Sequence, residues 1–170
     1  SEAKFKPRPR YEAGAYFGLP RQRRNGLEGE QLPQPTLTDR ECRPLLLDEA
    51  LGEGYALIGF AVDPRQSLSA ADLEQLARLN TRYLTLYPAG GRPQGKAAAS
   101  TPAGLGEWED MTGECIRHFR EAGYTEGAVA IVRPDRFVFA MARPGTAPAA
   151  VHNLLAQLGL QTVPRQQEAS

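Results

Sequence analysis

Only two cysteines, Cys42 and Cys115, occur in 170 residues, and they form no CxxC pair. That scarcity excludes a disulfide framework and the common cysteine-based zinc patterns, and a reducing, cytoplasmic setting is expected. No apolar run reaches the ~18 residues of a membrane span. Residues 1–30 are polar and arginine-rich, unlike a secretion signal. Neither sign of charge is in excess: 20 basic residues balance 20 acidic ones. A global field that would gather nucleic acid or an anionic membrane is thereby excluded. The exception is local, in Lys4, Lys6, Arg8, Arg10, Arg21, Arg23 and Arg24, and it reads as a solvated arm rather than a phosphate-binding strip.

What is present divides unevenly. Residues 1–43 are rich in Pro, Gly and Arg and read as an extended arm or linker, on which Tyr11, Tyr16, Phe17 and Leu19 could lean on a neighbouring surface. Residues 44–160 carry the structured text and residues 161–170 form a polar tail. The run Tyr55 to Val62 predicts a buried strand ended by Asp63-Pro64. Ser69 offers an N-cap to a helix carrying Leu73, Leu76 and Leu79, and Tyr83 to Tyr87 predicts a second strand. Residues 88–105 are small and Pro/Gly-rich, a long loop. Trp108, Met111, Cys115, Phe119 and Ala122 recur at helical steps and predict a helix over 108–122, with Gly123 closing it. Glu107, Glu109, Asp110 and Glu114 would then lie on its solvated face and favour its start. Ala128 to Val132 and Phe137 to Ala142 predict a hairpin joined by Arg133-Pro134-Asp135-Arg136, with proline presetting a type I turn. One face of its second strand, with Phe137 and Phe139, is expected in the core and the other against another domain. A last helix runs from Ala147 to Leu158.

The order β-α-β, long loop, α-β-β-α is that of a thioredoxin-like α/β fold: a four-stranded mixed sheet in the order 4-3-1-2, flanked by helices. Its chemistry needs a CxxC at the start of the first helix, where the helix dipole lowers a thiol pKa. Here the stretch reads Asp63-Pro64-Arg65-Gln66-Ser67-Leu68, and the fold's usual cis-proline is replaced near Glu126-Gly127. Gly90 to Ala97 nearly matches a P-loop, but Ala97 stands where a Mg²⁺-ligating hydroxyl belongs. Gly52-Glu53-Gly54 precedes a strand rather than following one and reads as a turn, not a dinucleotide fingerprint. Cys115 and His118 could form half of a metal site, with His152 and Cys42 isolated in sequence and zinc wanting three or four ligands. No catalytic, cofactor-binding or metal-ligating residue is therefore assigned.

Pro33-Gln34-Pro35, the segment Leu47-Asp48-Glu49-Ala50-Leu51-Gly52 with Tyr55-Ala56-Leu57-Ile58-Gly59, and Val132-Arg133-Pro134-Asp135 occur in an order and spacing that resemble a known pattern. Together with Lys6-Pro7-Arg8-Pro9-Arg10-Tyr11 and Gly14, they resemble the C-terminal region of FAD-dependent aromatic-ring hydroxylases. The likeness is to the 3-(3-hydroxyphenyl)propionate hydroxylase-like group of the phenol hydroxylase superfamily, over roughly residues 6–160. The resemblance implies a parent enzyme that uses FAD and NAD(P)H to hydroxylate a phenolic ring, with this chain as its non-catalytic thioredoxin-like domain. An upstream FAD and substrate domain would be its partner, and it would serve domain packing or oligomerisation. Two rivals are a free-standing thiol redox or peroxidase-type protein using Cys42 or Cys115, and a binding module gripping an anion or partner with the 88–105 loop.

Overall fold

The computed structural model describes residues 27–93 and 106–160. Its elements are β1 (Thr36–Thr38), β2 (Pro44–Leu46), α1 (Leu47–Leu51), β3 (Ala56–Phe60), α2 (Ala70–Ala77), β4 (Arg82–Pro88), β5 (Gly106–Asp110), α3 (Glu114–Glu121), β6 (Val129–Val132), β7 (Val138–Ala142) and α4 (Ala147–Gln157). The strands form one sheet in the order β2-β1-β5-β4-β3-β6-β7. β3, β4 and β5 are parallel, β6 runs antiparallel to β3, and β7 antiparallel to β6.

The expected four-strand order is present as β7-β6-β3-β4, but it is part of a seven-stranded sheet. The three extra strands escaped because they are short and not continuously apolar. β1 and β2 have three residues each, and β5 (GEWED) carries three acids.

β3 explains why the fold forms where it does. All five of its residues are buried. Ala56, Ile58 and Phe60 enter one core with α1 and α3, and Leu57 enters another on the opposite face with α2 and α4. Each large apolar side chain so buried contributes about 1.5–3 kcal/mol. At Gly59 no side chain fits: a Cβ there would meet the Val62 carbonyl oxygen at 1.9 Å. The 133–136 hairpin turns as expected, with Arg136 N–H donating to the Arg133 carbonyl at 2.9 Å. Arg136 adopts a left-handed φ of 72°, and the ladder shifts register between Ile131 and Val132, the signature of a turn followed by a bulge.

Three expectations need correction. Residues 108–122 are not one helix: Trp108 to Asp110 belong to β5, and α3 starts at Glu114. The helical spacing of Trp108, Met111 and Cys115 was coincidental, because Trp108 packs from the strand against the α1/α3 core while Met111 is exposed. Residues 27–43 are not a bare arm. Leu27, Leu32 and Leu37 are core residues, and residues 29–32 run along β7, with Gly29 N–H to Val138 O at 2.8 Å and Val138 N–H to Glu30 O at 2.9 Å. This strip covers an edge that would otherwise present unpaired backbone groups. Finally, β7 offers no face to another domain. Phe139 enters the α2/α4 core and Val138 and Met141 the other, so both faces are occupied by the chain itself.

Candidate functional site

Thioredoxin-like folds hold their thiols where the first central strand passes into its helix. Here that is the passage from β3 to α2, and an ion pair stands in it. Asp63 Oδ1 accepts from the backbone N–H of Arg65 at 2.9 Å and from its Nε at 3.3 Å. The Arg65 guanidinium also lies 5.5 Å from the centre of the Tyr83 ring. Burial raises the Tyr83 phenol above its ordinary range, with Arg65 opposing. The helix start closes on itself: Asp72 N–H donates to Ser69 Oγ at 3.1 Å, and Ser69 N–H to Asp72 Oδ2 at 3.4 Å, a capping box. His152 of α4 meets the other oxygen, Asp72 Oδ1, at 2.9 Å. Ser69, Asp72 and His152 thus come together without forming a nucleophilic triad, since the serine oxygen faces a backbone amide and not the imidazole. On the opposing loop, Gly127 N–H donates to Phe60 O at 2.9 Å and Phe60 N–H to Ala128 O at 2.8 Å. The place of the redox motif is taken up by structural bonds.

The two thiols are separated by their surroundings. Cys115 has no exposed surface, and its N–H donates to Asp110 Oδ2 at 2.8 Å. Cys42 is exposed in the β1–β2 turn, and neither cysteine is in a disulfide. His118 approaches Glu30 at 3.1 Å rather than joining Cys115 in a ligand set. Among the described residues no group of three His, Cys, Asp or Glu could hold a metal ion. Glu114, Arg117, His118 and Glu121 line one open, polar depression on α3.

The near P-loop is met by acid. Gly90 N–H donates to Glu109 Oε1 at 2.8 Å, and Arg92 donates to Thr38 O at 2.8 Å with Glu109 Oε2 3.7 Å away. A carboxylate already holds the amide a phosphate would need. Residues 94–105 of the loop lie outside the described residues. A flavin's pyrophosphate fits no better before β3. A Cβ at Gly54 would meet Leu79 O at 2.7 Å, and one at Gly52 would meet the Arg82 side chain at 2.6 Å. These glycines admit the chain's own atoms, not a dinucleotide.

The chemistry-bearing residues instead tie elements together, and sequence reading passed over them. Arg136, at the hairpin bulge, pairs with Asp48 and donates to the carbonyls of Asp48 and Gly52. Arg82 Nη1 reaches the carbonyls of Glu49 and Ala50 at 3.4 and 3.3 Å. Two guanidinium groups so close the C-terminal end of the five-residue α1, whose last carbonyls have no helical partners. The Leu47–Gly52 and Val132–Asp135 segments noted in the sequence are thereby neighbours, joined through the residue that follows the second. Asp110 does the same for α3. It is fully buried and accepts from the N–H groups of Gly113, Cys115 and Ile116 at 2.9, 2.8 and 3.0 Å. That corrects the solvated helix face expected for Asp110: the N-cap is Gly113, and Asp110 reaches the helix from the end of β5, three residues before it.

Comparison with known proteins bears on this arrangement. The family described as the HcaD C-terminal domain matches residues 29–157. The chain belongs to that family. It is 28% identical over 161 residues to the 3-(3-hydroxy-phenyl)propionate/3-hydroxycinnamic acid hydroxylase of Klebsiella pneumoniae (strain 342), covering 95% of this chain and 28% of that protein. The chain thus spans little more than a quarter of the length of such relatives. The flavin-dependent monooxygenase PieE, solved in complex with FAD and substrate, matches 89% of this chain and 25% of its own, with a TM-score of 0.56 and 19% identity. Peroxidoxin BcpB from Mycobacterium tuberculosis matches 77% of this chain and 97% of its own, with a TM-score of 0.53 and 15% identity. The chain therefore has a thioredoxin-like α/β fold.

Proposed function

We propose that the chain is the non-catalytic C-terminal domain of a flavin-dependent aromatic hydroxylase, and that it supports the packing or oligomerisation of the parent enzyme. The parent would use FAD and NAD(P)H to hydroxylate a phenolic ring of the 3-(3-hydroxyphenyl)propionate type, in the cytoplasm. The observation that carries this reading is the pairing of a family match over residues 29–157 with the occupied redox position. Asp63, Arg65 and the Ser69–Asp72 box stand where thiol chemistry would be. FAD, NAD(P)H and the ring substrate belong on this reading to an upstream domain, and no residue of this chain is assigned to catalysis, to a cofactor or to a metal.

Of the two thiols the rival reading could use, Cys115 is closed to solvent, and the exposed Cys42 lies in the β1–β2 turn rather than in the β3–α2 passage. The test uses the complete polypeptide encoded with this segment. It should purify with FAD and consume NAD(P)H in the presence of 3-(3-hydroxyphenyl)propionate, and Cys42→Ser should leave that rate unchanged. A complete polypeptide without flavin, or peroxide reduction lost in Cys42→Ser, overturns the proposal.

A further inference from the structure

We propose that residues 27–32 form a strap whose grip on the domain is set by the protonation of His118. Backbone bonds hold the strap first. Gly29 N–H and Leu32 N–H donate to the Val138 and Arg136 carbonyls at 2.8 and 3.1 Å, and Val138 N–H donates to Glu30 O at 2.9 Å. Leu27 and Leu32 sink into the core at its two ends. The strap also meets a helix, because His118 Nε2 of α3 lies 3.1 Å from Glu30 Oε2. Both side chains are nearly closed to solvent, at 13% and 12% exposure.

An imidazole beside a carboxylate gains a full ion pair on protonation and keeps only a hydrogen bond when neutral. Solvent screening, which weakens exposed pairs, is reduced at this degree of burial. The neighbouring charges reinforce the pair. On α3, Glu114 and Glu121 stand one turn to either side of His118 and favour its charged form, with Arg117 opposing them. On the strap, Glu28 turns to β7, where the Met141 N–H donates to its Oε1 at 3.4 Å. β3, β6 and β7 carry no ionisable side chain. Beneath α3 the charges of β4 and β5 are committed elsewhere: Arg82 to the α1 carbonyls, Glu107 to Arg40, Glu109 to Gly90, and Asp110 to the α3 amides. Tyr83 and Tyr87 alternate onto the other face of the sheet from Leu84 and Leu86. Asp48 of α1 is paired with Arg136, and Arg120 and Arg143 lie over the Phe60 and Tyr124 rings. Among the described residues the surroundings of the pair are acidic in balance.

The sign follows from linkage. A histidine whose charged form is favoured in the folded state stabilises at low pH, and the contribution is lost as pH rises through its folded pKa. The strap is thus gripped hardest toward about pH 6 and relaxes toward about pH 8. It is a graded clamp and not a release, since the backbone bonds and the two leucines remain when the charge is gone. Residues 1–26 precede the strap, so its grip fixes where that segment leaves the domain.

The test is amide hydrogen exchange of the 170-residue chain from about pH 6 to 8, each rate referred to the intrinsic rate at that pH. Protection of the Gly29 and Leu32 amides should fall about fivefold over this range, while the β3 amides hold. The chain has two histidines, and the other one, His152, meets Asp72 of α2 and serves as the control. His118→Gln keeps a donor but cannot be charged, and it should remove the pH dependence at Gly29 and Leu32. His152→Gln should leave it in place. Glu30→Gln should move the NMR titration of His118 to lower pH and leave that of His152 where it was. Protection that is flat with pH in the wild-type chain, or that falls equally in His118→Gln, overturns the proposal. Should His118→Gln fail to fold, an unmoved His118 titration in Glu30→Gln overturns it.

Discussion

In β3, β6 and β7 every residue is buried, and helices or the 29–32 strip cover what the strands leave. In β1, β2 and β5 burial alternates or is partial, and among the described residues helices cover only one face. Beyond their backbone ladder, the strands of the first group are held chiefly by buried apolar side chains on both faces. The second depends on Leu37, on the fully buried carboxylate of Asp110 and on surface ion pairs such as Arg40–Glu107. A thioredoxin-like sheet here has been widened at one side by strands that pack less and bond more.

If that contrast is right, truncations at the centre should cost most. Phe60→Ala removes a side chain that packs against Phe119 at a ring distance of 6.4 Å, and it should cost about 3–5 kcal/mol in urea unfolding. Asp110→Ala leaves the amides of Cys115 and Ile116 without their acceptor, while Gly113 N–H keeps the Asp110 carbonyl at 3.2 Å, and should cost about 2–3 kcal/mol. Asp110→Asn should recover part of the loss. If Asp110→Ala were harmless, the extension would be held by area too, and the contrast would collapse. Arg136→Met should cost about 1–2 kcal/mol, because the α1 carbonyls lose a donor while Asp48 stays partly exposed.

The smallest effect is a pH response confined to the extension. The backbone N–H of Arg43, at 2.9 Å, does most to hold the Asp39 carboxyl below the ordinary value of 3.8, helped by the Arg43 side chain and the Glu41 N–H at 2.9 Å. A carboxylate with a lowered folded-state pKa stabilises above its unfolded pKa, and the contribution is lost as pH falls through the folded value. Amide exchange at Glu41 and Arg43 should therefore accelerate on acidification below that range, beyond the intrinsic trend, while β3 amides stay protected. Equal loss at β3 would mean that the two regions unfold as one.

The same contrast explains what could be read in advance. The Tyr55–Val62 run, the Ser69 cap, the 133–136 turn and the last helix sit where local pattern and tertiary role agree. β5 was hidden because Gly106-Glu107-Trp108-Glu109-Asp110 has the composition of a helix start, and only its parallel pairing with β4 makes it a strand. The Arg136–Asp48 link spans 88 residues, and no local signal announces it. Leu27, Leu32 and Leu37 are scattered singly among polar and turn residues, so their burial was invisible until the sheet edge they cover was in place.

The claim that the fold is kept here without cofactor chemistry of its own is tested most directly by titrating FAD into the purified 170-residue chain and following flavin fluorescence, with NAD(P)H then added. The account predicts no saturable quenching and no NAD(P)H consumption. Saturable binding with NAD(P)H oxidation by this chain alone would contradict it.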